Sequence, residues 1–120
     1  MTDTTTALHL NLDGQIREYD LGSDREQQHR VIGRALLDNV EVVERIEWNS
    51  GPSILMLARV HRAGEHLNFS AGLALDILGL PTPALIEGDV LFVGYSTETR
   101  QITGLPDDAA ALIRQASPQP

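Results

Sequence analysis

Cysteine is absent from this 120-residue chain, and so is lysine. Without cysteine there is no disulfide, no thiol nucleophile and no thiolate metal site. The nine basic residues are all arginine and face seventeen acids, for a formal net charge of −8. Proteins that live on DNA gain affinity by releasing counterions from phosphates, which takes clustered cations. The overall field here repels a polyanion, so direct nucleic-acid binding is not expected. No apolar run approaches the roughly 20 residues that span a bilayer, and no basic segment followed by an apolar stretch reads as a leader. The expectation is a cytoplasmic protein with no membrane segment.

What is present is enough for a core. Hydrophobic residues make up 42% and charged residues 22%, which argues against wholesale disorder. A chain of this length buries roughly two-thirds of its unfolded surface. No internal repeat or linker divides it, so one globular domain is expected over residues 7–115, with flexible termini at 1–6 and 116–120.

Alternating Leu8, Leu10 and Leu12 have strand period. Asp13-Gly14 is a favoured pair for a tight hairpin turn, and Ile16, Tyr19 and Leu21 belong to the return strand. Neither a two- nor a three-residue loop sorts those apolar residues onto one face. Ser23-Asp24-Arg25-Glu26 reads as a capping box opening a helix, with Ser23 as N-cap. Val31, Ile32, Ala35 and Leu36 form its apolar stripe, and Glu26, Arg30, Arg34 and Asp38 form a solvated ladder of charges. Asp38-Asn39 ends it.

Val40, Val42, Ile46 and Trp48 then share one side of a strand, with Val43 and Glu44 out of phase, which suggests a bulge or a partly wet edge. Asn49 to Pro52 turns the chain. Ile54, Met56, Ala58 and Val60 give the next core strand, ending at His61 and Arg62. Ala71 to Leu78 forms a short helix with Ser70 as N-cap and Gly79 as its stop. Leu80 to Pro83 is extended, because residues preceding proline avoid the helical region. Val90 to Val93 is apolar on both faces, as in a strand covered on both sides. Gln101 to Thr103 adds an edge strand. Pro106, at the first helical position, opens a last helix with Asp107 and Asp108 in its first turn and Arg114 in its last. The fold class is α+β: a mixed, mainly antiparallel sheet of four to five strands with two to three helices packed on it.

The residues that carry chemistry form no catalytic set. His61 and His66 are spaced neither as helical nor as strand ligands, so no metal site is read, and His9 faces Glu18 across the hairpin. No Gly-x-Ser-x-Gly elbow, Walker A or dinucleotide fingerprint occurs. Glu87 and Asp89 flank a glycine at a strand entrance, as turns do. Neither catalytic residues nor a cofactor are expected. Arg25, Arg30 and Arg34 lie within about two helical turns and could converge on a phosphate, with intrahelical pairing the stronger account. Arg59, Arg62, His66, Asn68 and Ser70 are the candidate binding residues, because they border the Gly/Pro-rich segment 66–89. Binding loops carried on rigid scaffolds are a common arrangement.

The hairpin, a helix ending in Val31-Ile32-Gly33, two strands, the Leu67-Asn68…Ala71 turn, the strand Gly88-Asp89-Val90-Leu91-Phe92-Val93-Gly94 and a short helix with an acidic start occur in a familiar order. Together they resemble the small actinobacterial and phage proteins grouped as domain of unknown function 3846. Arg34 stands where that group tends to carry a second glycine, and Phe69 where it tends to carry proline. The resemblance implies a phage or mobile-element accessory role and supplies no catalytic residues. The resulting expectation is a non-catalytic interaction protein acting on a host or viral protein, forming a homodimer through an open sheet edge. The alternatives are capture of an anionic nucleotide and acidic mimicry of DNA.

Overall fold

The computed structural model describes residues 5–37, 39–48, 51–61, 64–80 and 86–116. Six strands and three helices follow one another as β1 (Thr6–Leu10), β2 (Ile16–Asp20), α1 (Arg25–Leu36), β3 (Val40–Ile46), β4 (Ser53–Arg59), α2 (Phe69–Ile77), β5 (Val90–Ser96), β6 (Gln101–Thr103) and α3 (Asp107–Arg114). The strands form one sheet in the order β2-β1-β5-β4-β3, with β6 beside β5. Every ladder is antiparallel. The α+β class with a mainly antiparallel sheet is therefore the observed one. β5 pairs with β4 along its length, with β1 through Val90–Phe92 and with β6 through Gly94–Ser96. The expected extended stretch Pro81–Pro83 and the end of the strand at Arg62 lie outside the described residues.

Helices cover both sheet faces. Leu8, Leu10, Ile54, Met56, Val90 and Phe92 pack with Ala71, Ala74 and Leu75 of α2 and Ala109 and Ile113 of α3. On the opposite face Ala7, Leu55, Leu57, Leu91 and Val93 pack with Ile32 and Leu36 of α1 and with Leu21. Double coverage explains why the return strand shows no clean alternation. Ile16 packs toward α2 and α3, while Tyr19 packs toward α1. The hairpin register pairs Leu10 with Ile16, so Asn11–Gln15 form the connection, a longer loop than the two or three residues that Asp13-Gly14 suggests. Asn11 organises it: its Oδ1 accepts from the amides of Asp13 and Gln15, both at 3.0 Å.

Several boundaries differ from the sequence expectation for identifiable reasons. Asp24, not Ser23, caps α1, its carboxylate accepting from the Gln27 amide at 3.2 Å. α1 ends one residue before Asp38, at Leu37, which adopts the left-handed conformation (φ 62) and donates its amide to the Gly33 carbonyl. The β3 bulge lies between Val42 and Glu44 as expected, but it also reverses the phase. Val40 pairs with Arg59 and Val42 with Leu57, on the α1 face, whereas Ile46 and Trp48 join the α2–α3 core. Val60 is exposed beyond the end of β4 rather than buried within it. Pro106 is the N-cap of α3 rather than its first residue.

One close approach fixes the centre of the sheet. A methyl group on Gly94 would lie 2.3 Å from the Gly104 carbonyl oxygen and 2.6 Å from Thr103 Oγ1. The chain leaving β6 crosses β5 there, and only glycine leaves it room. Gly94→Ala is therefore expected to lower the unfolding free energy by about 1–3 kcal/mol through overpacking, read from urea titration. An unchanged midpoint would contradict the contact.

Candidate functional site

The residues singled out from the sequence do not form one site. Asn68 is buried and is the N-cap of α2, its Oδ1 accepting from the Ala71 amide at 3.0 Å. Its amide nitrogen donates to the carbonyls of Leu10 (3.1 Å) and Gly88 (3.0 Å), tying the helix to β1 and to the strand entrance. Ser70 is consequently inside α2, not its cap. Asparagine caps as well as serine does, so the earlier residue wins because it also satisfies two buried carbonyls. His66 is exposed, and its backbone carbonyl accepts from Gly88. Leu67 bridges Glu87, so the two ends of the 66–89 segment are anchored to each other. Arg62 lies outside the described residues.

Arg59 is occupied by structure. One guanidinium nitrogen donates to the Leu36 carbonyl at the end of α1 (3.3 Å), and the other bonds Glu65. Beside it is a group for which the sequence suggests another partner. His9 lies opposite Arg17, not Glu18, is only 6% exposed, and its Nε2 is 3.2 Å from Asp89 Oδ2. The Tyr19 ring lies 6.0 Å away, centroid to centroid. His9 Nδ1 and Glu65 Oε2 are buried without a hydrogen-bond partner among the described residues. The His–Asp pair has half the geometry of a general base, yet its free nitrogen is closed to solvent and to any substrate. Burial holds the imidazole below the ordinary histidine value of 6.5, against the attraction of Asp89 and with the repulsion of Arg17 and Arg59.

The open feature lies on the α1 face. α1 leaves a cleft of about 570 Å³ between itself and β3, β4 and β6, within the usual range for small-ligand sites. Ile32, Val40, Val42, Leu55, Leu57 and Ile102 give it apolar walls, and Tyr95 adds a ring. Arg25 and His29 project from successive turns of α1, and Arg100 from the β5–β6 turn. Gln28 closes the base of the helix, donating to the carbonyls of Gly22 (2.9 Å) and Ile102 (3.4 Å). Gly33 faces the opening, and a methyl group there would meet nothing within 4 Å. The stripe i, i+3, i+4 from Arg25 is visible in the sequence. What hides the cleft is its far wall, which needs the β3 bulge to turn Val40 and Val42 toward α1.

A second surface is apolar. Phe69 and Leu73, one turn apart on α2, are 79% and 47% exposed. Among the described residues no three His, Asp or Glu side chains converge as metal ligands, and no helix is long and apolar enough to cross a membrane. Comparisons with protein-family models, with curated proteins and with solved structures return no match.

Asn68→Ala removes a cap and leaves two buried carbonyls without a donor, and is expected to cost about 2–4 kcal/mol in urea unfolding. A loss under about 0.5 kcal/mol would make the side chain dispensable. His9 stays neutral in the folded chain at a pH where the unfolded chain takes up a proton. Its share of stability is complete above pH 6.5 and is lost as pH falls through the depressed folded value. The unfolding free energy of the native chain should drop more steeply from pH 6.5 to about 5 than that of His9→Gln. Parallel profiles would refute the assignment.

Proposed function

We propose that this is a non-catalytic binding protein and that the cleft beneath α1 is its ligand site. The observation that carries this is Gly33 in the middle of α1. Glycine inside a helix costs about 0.5–1 kcal/mol relative to alanine, and among the described residues nothing beyond its own helix backbone and chain neighbours crowds a methyl group at this position. A local choice that weakens the fold without a packing reason is what a functional constraint produces. Leaving Gly33 bare keeps the cleft open over Leu55 and Leu57.

The chemistry of the lining supports binding over turnover. Its titratable groups are Arg25, His29, Glu41, Tyr95 and Arg100, and among the described residues His29 has no carboxylate to orient it. The resemblance to domain of unknown function 3846 supports a phage or mobile-element setting, and the absence of cysteine supports a cytoplasmic location. A second reading, docking of a host or viral protein, is favoured by Phe69 and Leu73 on the outer face of α2. In a homodimer the terminal strand β2 offers the better edge, because the bulge interrupts β3 and α1 side chains take up the carbonyls of Arg100 and Ile102.

The test uses N-phenyl-1-naphthylamine, a neutral apolar fluorophore. One equivalent should bind the native chain. Gly33→Leu should fill the cleft and weaken binding at least tenfold, while its circular dichroism and cooperative melting are retained and Phe69→Ser has no effect. Gly33→Ala should raise stability by about 0.5–1 kcal/mol. Binding that survives Gly33→Leu but is lost in Phe69→Ser would move the site to α2.

A further inference from the structure

Resting on that reading of the cleft, we propose that its ligand is an amphipathic organic anion. Its apolar body lies on Val42, Leu55, Leu57 and Ile102, and its carboxylate or phosphate is held between Arg25 and Arg100. The first support is a local inversion of charge. The chain carries seventeen acids against nine arginines, yet among the described residues the cleft is lined by two arginines, a histidine and a single acid, Glu41. Glu41 is on β3, whereas both arginines are at the β6 end.

The second support is how the two arginines meet. Arg25 Nη2 donates to the backbone carbonyl of Arg100 at 3.3 Å, which brings two cationic residues together across the mouth of the cleft. Arg100 is itself in the left-handed conformation, φ 58, which non-glycine residues rarely adopt. Among the described residues, no carboxylate lies within salt-bridge distance of either guanidinium. An anion set between these two lining arginines gains two cationic donors, and a guanidinium fork matches carboxylate and phosphate oxygens. His29, one turn below Arg25, adds a third donor on the same side.

The apolar requirement comes from the floor. Val42 is 53% exposed although it is an aliphatic residue on the sheet face that α1 covers, and Leu55 and Leu57 lie beneath the same opening. A bare inorganic anion would leave that surface wet, and a neutral apolar molecule would leave the arginines unpaired. Only a molecule carrying both parts answers the whole lining. An aromatic nucleoside monophosphate and an aliphatic or aromatic carboxylate share this chemistry.

The experiment compares 1-anilinonaphthalene-8-sulfonate, an aromatic anion, with its neutral relative N-phenyl-1-naphthylamine, on the native chain and on Arg25→Gln, Arg100→Gln, their pair and Gly33→Leu. The expected result is one sulfonate site, tighter than the neutral dye, weakened at least tenfold by the paired Arg25→Gln/Arg100→Gln change and by 0.5 M NaCl. The neutral dye should be indifferent to both. Displacement of the sulfonate by adenosine monophosphate or by decanoate then assigns the source, and inorganic phosphate alone should displace it poorly. If the arginine changes leave sulfonate binding intact while Gly33→Leu abolishes both dyes, the cleft is the site but anion selection is wrong. The proposed ligand class is equally overturned if neither organic anion displaces the sulfonate. If Gly33→Leu leaves both dyes bound, the reading of the cleft itself fails.

Discussion

A sheet of five strands in one path is wider than a single helix can cover. Four inter-strand steps of about 4.8 Å make it about 19 Å across, whereas one packed helix occupies about 10 Å. On one face the chain meets this with two helices, α2 and α3, whose Ala71, Ala74, Leu75, Ala109 and Ile113 close the core. On the other face, among the described residues, α1 is the one helix, packing through Ile32 and Leu36 with Leu21 beside it. Leu55 and Leu57 of β4 are still buried there, but Val42 on β3 is left 53% exposed, and the cleft opens along that edge. Its shape depends on the bulge at Val43, which turns Val40 and Val42 to the α1 side before Ile46 returns to the other core.

The buried polar groups serve as ties between elements rather than as a reaction centre. Asn68 joins α2 to β1 and β5. Gln28 joins α1 to the loop before it and to β6. Arg59 joins β4 to the end of α1 and to Glu65. Each spans elements far apart in sequence, where an unsatisfied carbonyl would otherwise cost about 1–3 kcal/mol. His9 and Asp89 tie β1 to the start of β5 in the same way, which accounts for a titratable side chain so deep in the sheet. At the candidate site, by contrast, no carboxylate among the described residues pairs with the guanidinium groups of Arg25 and Arg100.

Most elements are legible in the sequence because local chemistry and tertiary packing agree. The apolar run Val90–Val93 announces a strand covered on both faces, and Val43-Glu44 breaks the β3 alternation where the bulge occurs. The misplacements share a cause: local signals cannot be ranked without the long-range partner that decides among them. Ser70 and Asn68 are both good caps, and the carbonyls of Leu10 and Gly88 choose Asn68. Asp13-Gly14 is a good tight turn, but the Leu10–Ile16 register and the Asn11 side chain make a wider one. His9 is matched with Glu18 on sequence alone because one strand's pattern does not settle hairpin register. The candidate site is the least legible part. Arg25 is visible on α1, but nothing local brings Arg100 to it, and Gly33 looks like an ordinary helix glycine until its surroundings are known to be empty.

On this account the space under α1, bounded by Gly33 and two arginines, is where the protein engages its ligand. Amide chemical-shift mapping tests that residue by residue. Titration of the isotope-labelled chain with 1-anilinonaphthalene-8-sulfonate should perturb most strongly the amides of Arg25–Gly33, Val40–Val42, Leu55–Leu57 and Arg100–Ile102. Shifts concentrated instead on Leu67–Leu73 of α2 and its approach, with the α1 amides unmoved, would contradict it.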